Sequence, residues 1–343
     1  MERRSFSENY SSFDRLFKEK ISAEITAQEK ERYGLLAVGN FSESDMTVTE
    51  SEKSQLSPQE LEAKLFVDEY VRNLVEEKNK VLVSQNKRLI VDSAKLHVSH
   101  VEQVHNTCEI VIENGIASYG KIIALGREEG LRQVYAEYCQ RVQEGAILFE
   151  RFQKLFQPAP LSVDGLILTS DNCVLIAKRH PNKVGTYGEA WHVPSGYVDD
   201  TDCDASGKIN LFQAMRREIH EEIGITENEI TNLVSLGVAK NPDVATVNVL
   251  FFGSTQLKST DIIDRDATDV KKRLLLQPKD IEGDIRPRKI IDAQHKITHV
   301  LPALLKIDQV FGKQKKHGVL GPELTVPTSQ ALFFLVDNIL KQK

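Results

Sequence analysis

Apolar positions recur at two different periods along this chain, and the switches between them mark out its elements. Residues 161–169, 173–178, 191–197, 232–239 and 245–253 are short, largely apolar runs that read as strands, the first two joined by the turn Ser170-Asp171-Asn172. One helical period interrupts them. From Asn210 to Ile223, the residues Phe212, Met215, Ile219 and Ile223 fall on one arc, and Gly224 stands where a left-handed C-cap would end the helix. Strand, strand, strand-turn-helix, strand, strand describes an α/β domain.

The preceding residues have a different texture. Phe13, Leu16, Phe17, Ile21 and Ile25 recur at three and four, which predicts a helix over 12–32. Residues 1–56 are otherwise rich in Ser and Glu and read as a flexible or partly helical extension, with Asn40 to Gln55 as a linker. Ser57-Pro58-Gln59-Glu60 then has the form of a capping box with proline at the first helical position, and Leu61, Leu65, Tyr70, Leu74 and Val75 carry that helix to Lys78. Runs at 89–91, 96–101 and 108–112 suggest strands, followed by helical stretches at 119–125 and 131–156. Residues 57–157 are therefore expected to be a small α+β N-terminal domain, closed by Pro158-Ala159-Pro160. Residues 158–343 form the α/β domain with a helical C-terminal tail, whose last helix enters at Pro327 and sets Leu332, Phe333, Val336 and Ile339 at core spacing.

A chain of 343 residues has material for more than one unit, and its net charge of −6 offers no basic footprint for nucleic acid or an anionic membrane. Its apolar runs are far shorter than the ~18 residues of a membrane span. Glu2, Glu8 and Asp14 argue against a targeting peptide. Cys108, Cys139, Cys173 and Cys203 show no paired spacing, as expected of reduced thiols in a cytoplasmic protein. His97, His100 and His105 are expected as surface or capping residues, and His295 and His299 as structural ones.

The candidate chemistry lies on the helix at 210–223. Glu218, Glu221 and Glu222 share an arc of about 100° on a helix of ~3.6 residues per turn, and like charges so placed repel by a few tenths of a kcal/mol per pair. A solvated acidic face would carry the same residues. A hard divalent cation would offset the repulsion, because Mg2+ takes carboxylate oxygens and keeps positions for water and substrate phosphate.

Arg217-Glu218-Ile219-His220-Glu221-Glu222-Ile223-Gly224-Ile225 resembles the second half of the Nudix box, and Pro194-Ser195-Gly196 resembles the turn that opens it. The resemblance implies a Nudix α/β/α sandwich that hydrolyses a nucleoside diphosphate linked to a small molecule. It implies Mg2+ or Mn2+ as cofactor, held by Glu218, Glu221 and Glu222 with the Ser195 carbonyl. Arg217 becomes the orienting arginine, Glu218 a base for water, and Gly196, Lys178 and Arg179 the substrate contacts. Ordinary strand-end charge would equally explain Lys178 and Arg179. A carboxylate from Asp261, Asp264 or Asp266 would complete the site. Dimers are common in the family, and a homodimer is compatible with the sequence.

One position departs from the family. Counting back eight from Arg217 gives Ile209 where the box has Glu, and Gly196 comes seven residues early, so the loop from Tyr197 to Asn210 is long. Asp199, Asp200, Asp202 or Asp204 are candidates to pair with Arg217. Glu221 or the substrate are others.

Three further stretches are similar to the animal Nudix subfamily that splits UDP-glucose and UDP-galactose into UMP and sugar 1-phosphate. They are Ser93-Ala94-Lys95-Leu96-His97 with Gly115-Ile116-Ala117-Ser118-Tyr119, then Ser162-Val163-Asp164-Gly165 with Val184-Gly185, then Leu236-Gly237-Val238-Ala239-Lys240-Asn241. ADP-ribose or another nucleotide substrate is the alternative within the family. The absent glutamate motivates a different class, a non-catalytic Nudix-fold binding or regulatory protein.

Overall fold

The computed structural model describes residues 25–51, 55–84, 89–170, 173–175, 177–178, 191–258, 260–262, 304–306, 329–332 and 334–336. The first part of the chain runs α1 (Ala27–Arg32), β1 (Leu35–Phe41), β2 (Met46–Glu50), α2 (Pro58–Ser84), β3 (Ala94–Val104), β4 (Thr107–Ser118), α3 (Tyr119–Leu125), α4 (Glu128–Val142) and α5 (Phe149–Phe156). The second part runs β5 (Leu161–Leu168), β6 (Cys173–Leu175), β7 (Ala177–Lys178), β8 (Trp191–His192), β9 (Ser195–Tyr197), α6 (Leu211–Ile223), β10 (Ile230–Lys240), β11 (Val247–Thr255) and β12 (Leu304–Lys306).

Among the described residues the largest sheet has the order β1-β10-β11-β5-β6-β12, with β9 also paired to β5. Strands β5 and β11 are its parallel centre, and every residue of β11 is buried, as expected of a strand covered on both faces. Their alternation sorts the side chains into two layers. Val163, Ile167, Val249 and Phe251 pack with Phe212, Met215 and Ile219 of α6. Leu166, Leu250 and Phe252 pack on the opposite face with Leu332, Leu335 and Val336 of the C-terminal helical residues. The result is the expected α/β/α layering. Phe212 meets Phe251 edge-on, with ring centroids 4.9 Å apart. Phe333 and Ile339 lie outside the described residues.

The reading of 40–55 as a linker is corrected. Strand β1 forms the outer edge of the large sheet through pairing with β10, and Phe41 at its end is fully buried. Strand β2 pairs in parallel with β4, making a second sheet of order β2-β4-β3. Only Met46 of β2 is buried, so its composition looks polar although it is a strand. The capping-box helix extends to Ser84, beyond the expected Lys78, whereas the expected helix at 131–156 is two, α4 and α5. Between them Gln143 and Gly145 have φ of 60° and 85°. No strand forms at 89–91. There the Asn79 side-chain amide takes up both the N–H and the C=O of Ile90, at 2.7 and 2.9 Å, and satisfies the backbone in place of a neighbouring strand.

The two sheets share a core. Leu96, Val98, Ile110 and Ile112 of the smaller sheet belong to the same buried cluster as Phe41, Val163 and Leu211. Helices α2 to α5 hold a separate cluster around Tyr138 and Phe152. His97, expected at the surface, is buried at this junction, where its Nδ1 accepts from the Ala159 N–H at 3.0 Å. No helix among the described residues is long and apolar enough to cross a membrane.

Burial, reinforced by the charges of Lys240 and Lys121, pushes the His97 pKa from 6.5 down to about 4. A lowered imidazole pKa means that the unfolded chain takes up the proton first, so stability is intact above pH 6.5 and falls as pH drops toward 4, by a few kcal/mol at most. Asn at this position keeps an acceptor and cannot titrate. Urea midpoints at several pH values should therefore fall more steeply below pH 6.5 in wild type than in His97→Asn; parallel curves would refute the assignment.

Candidate active site

Helix α6 begins at Asn210, whose side chain accepts from the N–H groups of Phe212 and Gln213, and ends at Gly224 with φ 86°, the left-handed cap expected from sequence. Between these caps the apolar arc faces β5 and β11, which turns Arg217, Glu218, Glu221 and Glu222 toward β9 and the loop after it. The Glu222 carboxylate accepts from the Ser195 N–H at 3.1 Å. Glu218 packs against Gly196 so closely that a Cβ there would overlap its carboxylate. Strand β9 and helix α6 can adjoin at this depth only because residue 196 has no side chain.

Arg217 is the hub. Its Nε and one terminal nitrogen grip both oxygens of Asp202, each at 2.8 Å. The same terminal nitrogen donates to the Tyr197 carbonyl at 2.9 Å, and the other donates to Glu218 at 2.6 Å. Glu221 and Asp199 stand farther off, at 3.7 and 3.8 Å. Of the five candidate carboxylates, the structure selects Asp202, which is 2% exposed. A paired, planar fork of this kind is the stronger form of ion pair.

Asp202 is fixed by the loop itself. It accepts from the Asp199 N–H at 2.9 Å through its side chain and from the Asn210 N–H at 2.7 Å through its carbonyl. Asp204 serves elsewhere, accepting from the N–H groups of Ser206 and Lys208. Asp200 is exposed.

The charges settle unequally. Asp202, ahead of Glu218, raises the Arg217 pKa against the effect of burial. Glu218, 7% exposed, is pushed up to about 7. Burial is the main cause and Glu222 adds to it; together they outweigh Arg217, which pulls the other way. A buried carboxyl held near neutrality beside two more carboxylates is of the right chemical type to exchange a proton for a hard cation. Distance is a separate matter, since among the described residues no three His, Cys, Asp or Glu groups converge on one point.

The other expected site residues fare differently. Lys178 ends β7, whose partner in register is Trp191 of β8. Arg179, Asp264, Asp266, His295 and His299 lie outside the described residues. Asp261 is exposed and accepts from the Lys258 N–H. Cys108, Cys139 and Cys203 are free thiols. Two residues not expected at the site also reach this region: Lys95 and Glu43, which meet the loop from more than 100 positions away in sequence.

Residues 158–294 match the model of the NUDIX domain. The chain carries a NUDIX domain. No curated protein matches the chain by sequence. Solved structures with local similarity include the MutT protein of Methanosarcina mazei Go1, 24% identical over 30% of this chain and 68% of that one, with a TM-score of 0.22. The NUDIX domain of Shewanella oneidensis NrtR, complexed with ADP ribose, is 22% identical over 36% of this chain and 71% of that one, with a TM-score of 0.22. A bifunctional NMN adenylyltransferase/ADP ribose pyrophosphatase of Francisella tularensis, complexed with AMP and manganese, is 19% identical over 43% and 47% respectively, with a TM-score of 0.23.

Within the NUDIX domain, Asp202→Asn should cost about 1–3 kcal/mol in chemical unfolding, because it removes the charge that matches a half-buried guanidinium. Asp200→Asn should change stability by less than about 0.5 kcal/mol. Equal effects would remove Asp202 from its central place.

Proposed function

We propose that the chain hydrolyses the pyrophosphate bond of a nucleoside diphosphate joined to a small molecule, with Mg2+ or Mn2+ at α6. The observation that carries this reading is the contact between Glu218 and Gly196. A turn shaped to accept the buried Glu218 carboxylate against its backbone, beside Glu222 on the Ser195 N–H, brings two carboxylates to one short strand.

Glu218, Glu221, Glu222 and the Ser195 carbonyl would hold the cation. It would neutralise phosphate charge and acidify a bound water. Arg217, locked by Asp202, sets the position of Glu218 through their hydrogen bond. Glu218 is the group proposed to orient the attacking water and take up its proton. Water supplies the oxygen that joins one phosphorus as the bridging P–O bond breaks, leaving two monophosphates. Lys178 and Arg179 are proposed to contact substrate phosphates.

The substrate favoured here is a UDP-sugar, giving UMP and sugar 1-phosphate. The two N-terminal stretches resembling that subfamily lie side by side: Ala94 and Lys95 at the start of β3 are register partners of Ser118 and Ala117 at the end of β4. This supports a common N-terminal unit, and the cytoplasm is the compartment that suits such a substrate.

The direct test is product release from UDP-glucose, UDP-galactose, ADP-ribose and NADH, with Mg2+, with Mn2+ and with EDTA. UMP and sugar 1-phosphate should appear with metal and vanish with EDTA. Glu222→Gln, which keeps side-chain shape, should lower kcat by about 100-fold or more with an unchanged unfolding midpoint. Cleavage of ADP-ribose alone would retain the hydrolase and discard the UDP-sugar. Ligand binding without turnover on any substrate would move the assignment to a binding protein.

A further inference from the structure

The loop from Val198 to Asn210 carries Asp202 into the site, and side chains of the N-terminal half of the chain meet it at both ends. At its start, the Lys95 ammonium of β3 donates to Asp199 Oδ1 at 3.1 Å and stands 5.2 Å from the centroid of the Tyr197 ring. Its side chain is 14% exposed against 43% for Asp199, so the lysine reaches up from a mostly buried position. At its end, Glu43, in the turn between β1 and β2, accepts from the Asn210 side-chain amide at 2.6 Å and from Arg216 at 3.1 Å. Asn210 is the N-cap of α6. Glu43 therefore holds the residue that starts the helix on which Arg217 and the three glutamates sit.

The two tethers have a consequence for Arg217. Asp199 lies just outside hydrogen-bond range of the guanidinium, at 3.8 Å, and shares its other oxygen with Lys95. Among the described residues these are its two ion-pair partners. With Lys95 gone, Arg217 becomes the remaining cation for Asp199, which then competes with Glu218, the Tyr197 carbonyl and Asp202 for the same N–H groups. Removing Glu43 leaves the Asn210 amide nitrogen without this acceptor and loosens the other end of the loop.

We infer that Lys95 and Glu43 are positioning residues for the hydrolytic site: strand β3 and the β1–β2 turn clamp the two ends of the box loop and thereby set Asp202, Arg217 and Glu218. Neither touches the reacting atoms. The inference rests on the hydrolase reading for its catalytic consequence, and on the contacts alone for the clamp.

The experiment uses the full chain with Lys95→Met, which keeps most of the stem over Tyr197, Lys95→Arg, which restores a cation, and Glu43→Ala. Hydrogen–deuterium exchange in peptides spanning 197–210 should rise by about tenfold in Lys95→Met and in Glu43→Ala while the amides of β5 and β11 stay protected. With the substrate that wild type cleaves, kcat should fall by about tenfold with KM within about twofold, and Lys95→Arg should recover most of it. Unaltered exchange in both variants overturns the clamp. Faster exchange with unaltered kcat in an active protein overturns its catalytic role. If wild type cleaves nothing, the hydrolase reading fails by that result, and exchange alone decides whether Lys95 and Glu43 hold the loop.

Discussion

An arginine side chain removed largely from water keeps its charge under all ordinary conditions, so the surrounding structure must be built to receive it. Arg217 is received by three different segments at once: Asp202 from the loop, the Tyr197 carbonyl at the end of β9, and Glu218 from its own helix. Its fork geometry makes these demands directional. Shifting α6 along β9 by a fraction of a helical turn would break at least one of them. The apolar arc fixes which face of the helix meets the sheet, and the guanidinium fixes how far along the sheet it lies.

The same charge makes the acidic face tolerable. Three carboxylates within two turns repel, and Glu218 also bears the cost of burial, which is why its pKa rises to about 7 despite a hydrogen bond to a cation. Burial and like charge win over the ion pair. Glu218 therefore sits where a small change in its surroundings decides between proton and anion. The close approach of Gly196 confines that carboxyl to one place, and Glu222 is confined by the Ser195 N–H. Glu221, whose side chain is 36% exposed, stands 3.7 Å from the Arg217 guanidinium.

The parts legible in sequence were those with strong local signals. The α6 face, its Gly224 cap and the buried strands β5 and β11 follow from periodicity, and the residues from Arg217 to Ile225 carry the box. Asp202 was only partly legible. A carboxylate was missing at Ile209 and four aspartates stood in the loop, but choosing among them requires the loop's own hydrogen bonds. Strand β2 was missed because a strand that buries a single residue has too few aliphatics to announce itself, whereas β1 carries Leu35, Leu36, Ala37, Val38 and Phe41 and was overlooked inside a polar, Ser- and Glu-rich extension. His97 was misjudged because its environment is assembled from the smaller sheet and the backbone of Ala159, 62 positions on. Lys95 lies in a stretch similar to the UDP-sugar subfamily and Glu43 in none, and neither contact was legible, because their partners are 104 and 167 positions away.

The extent of the shared core bears on how much of the chain the NUDIX domain needs. Strand β1 extends the domain's own sheet, Phe41 lies among the side chains that support α6, and the Gln103 amide closes the far side of β1 by bonding both the N–H and C=O of Val38, each at 2.9 Å. A boundary drawn at Pro158 by composition would cut through this packing. Residues 35–50 and 94–118 contribute side chains to the buried cluster that includes the apolar face of the helix carrying the carboxylates, whereas the cluster inside α2 to α5 is separate from it. The N-terminal half thus holds two kinds of structure. One stands apart from the site, and the other is part of the wall on which the site is built.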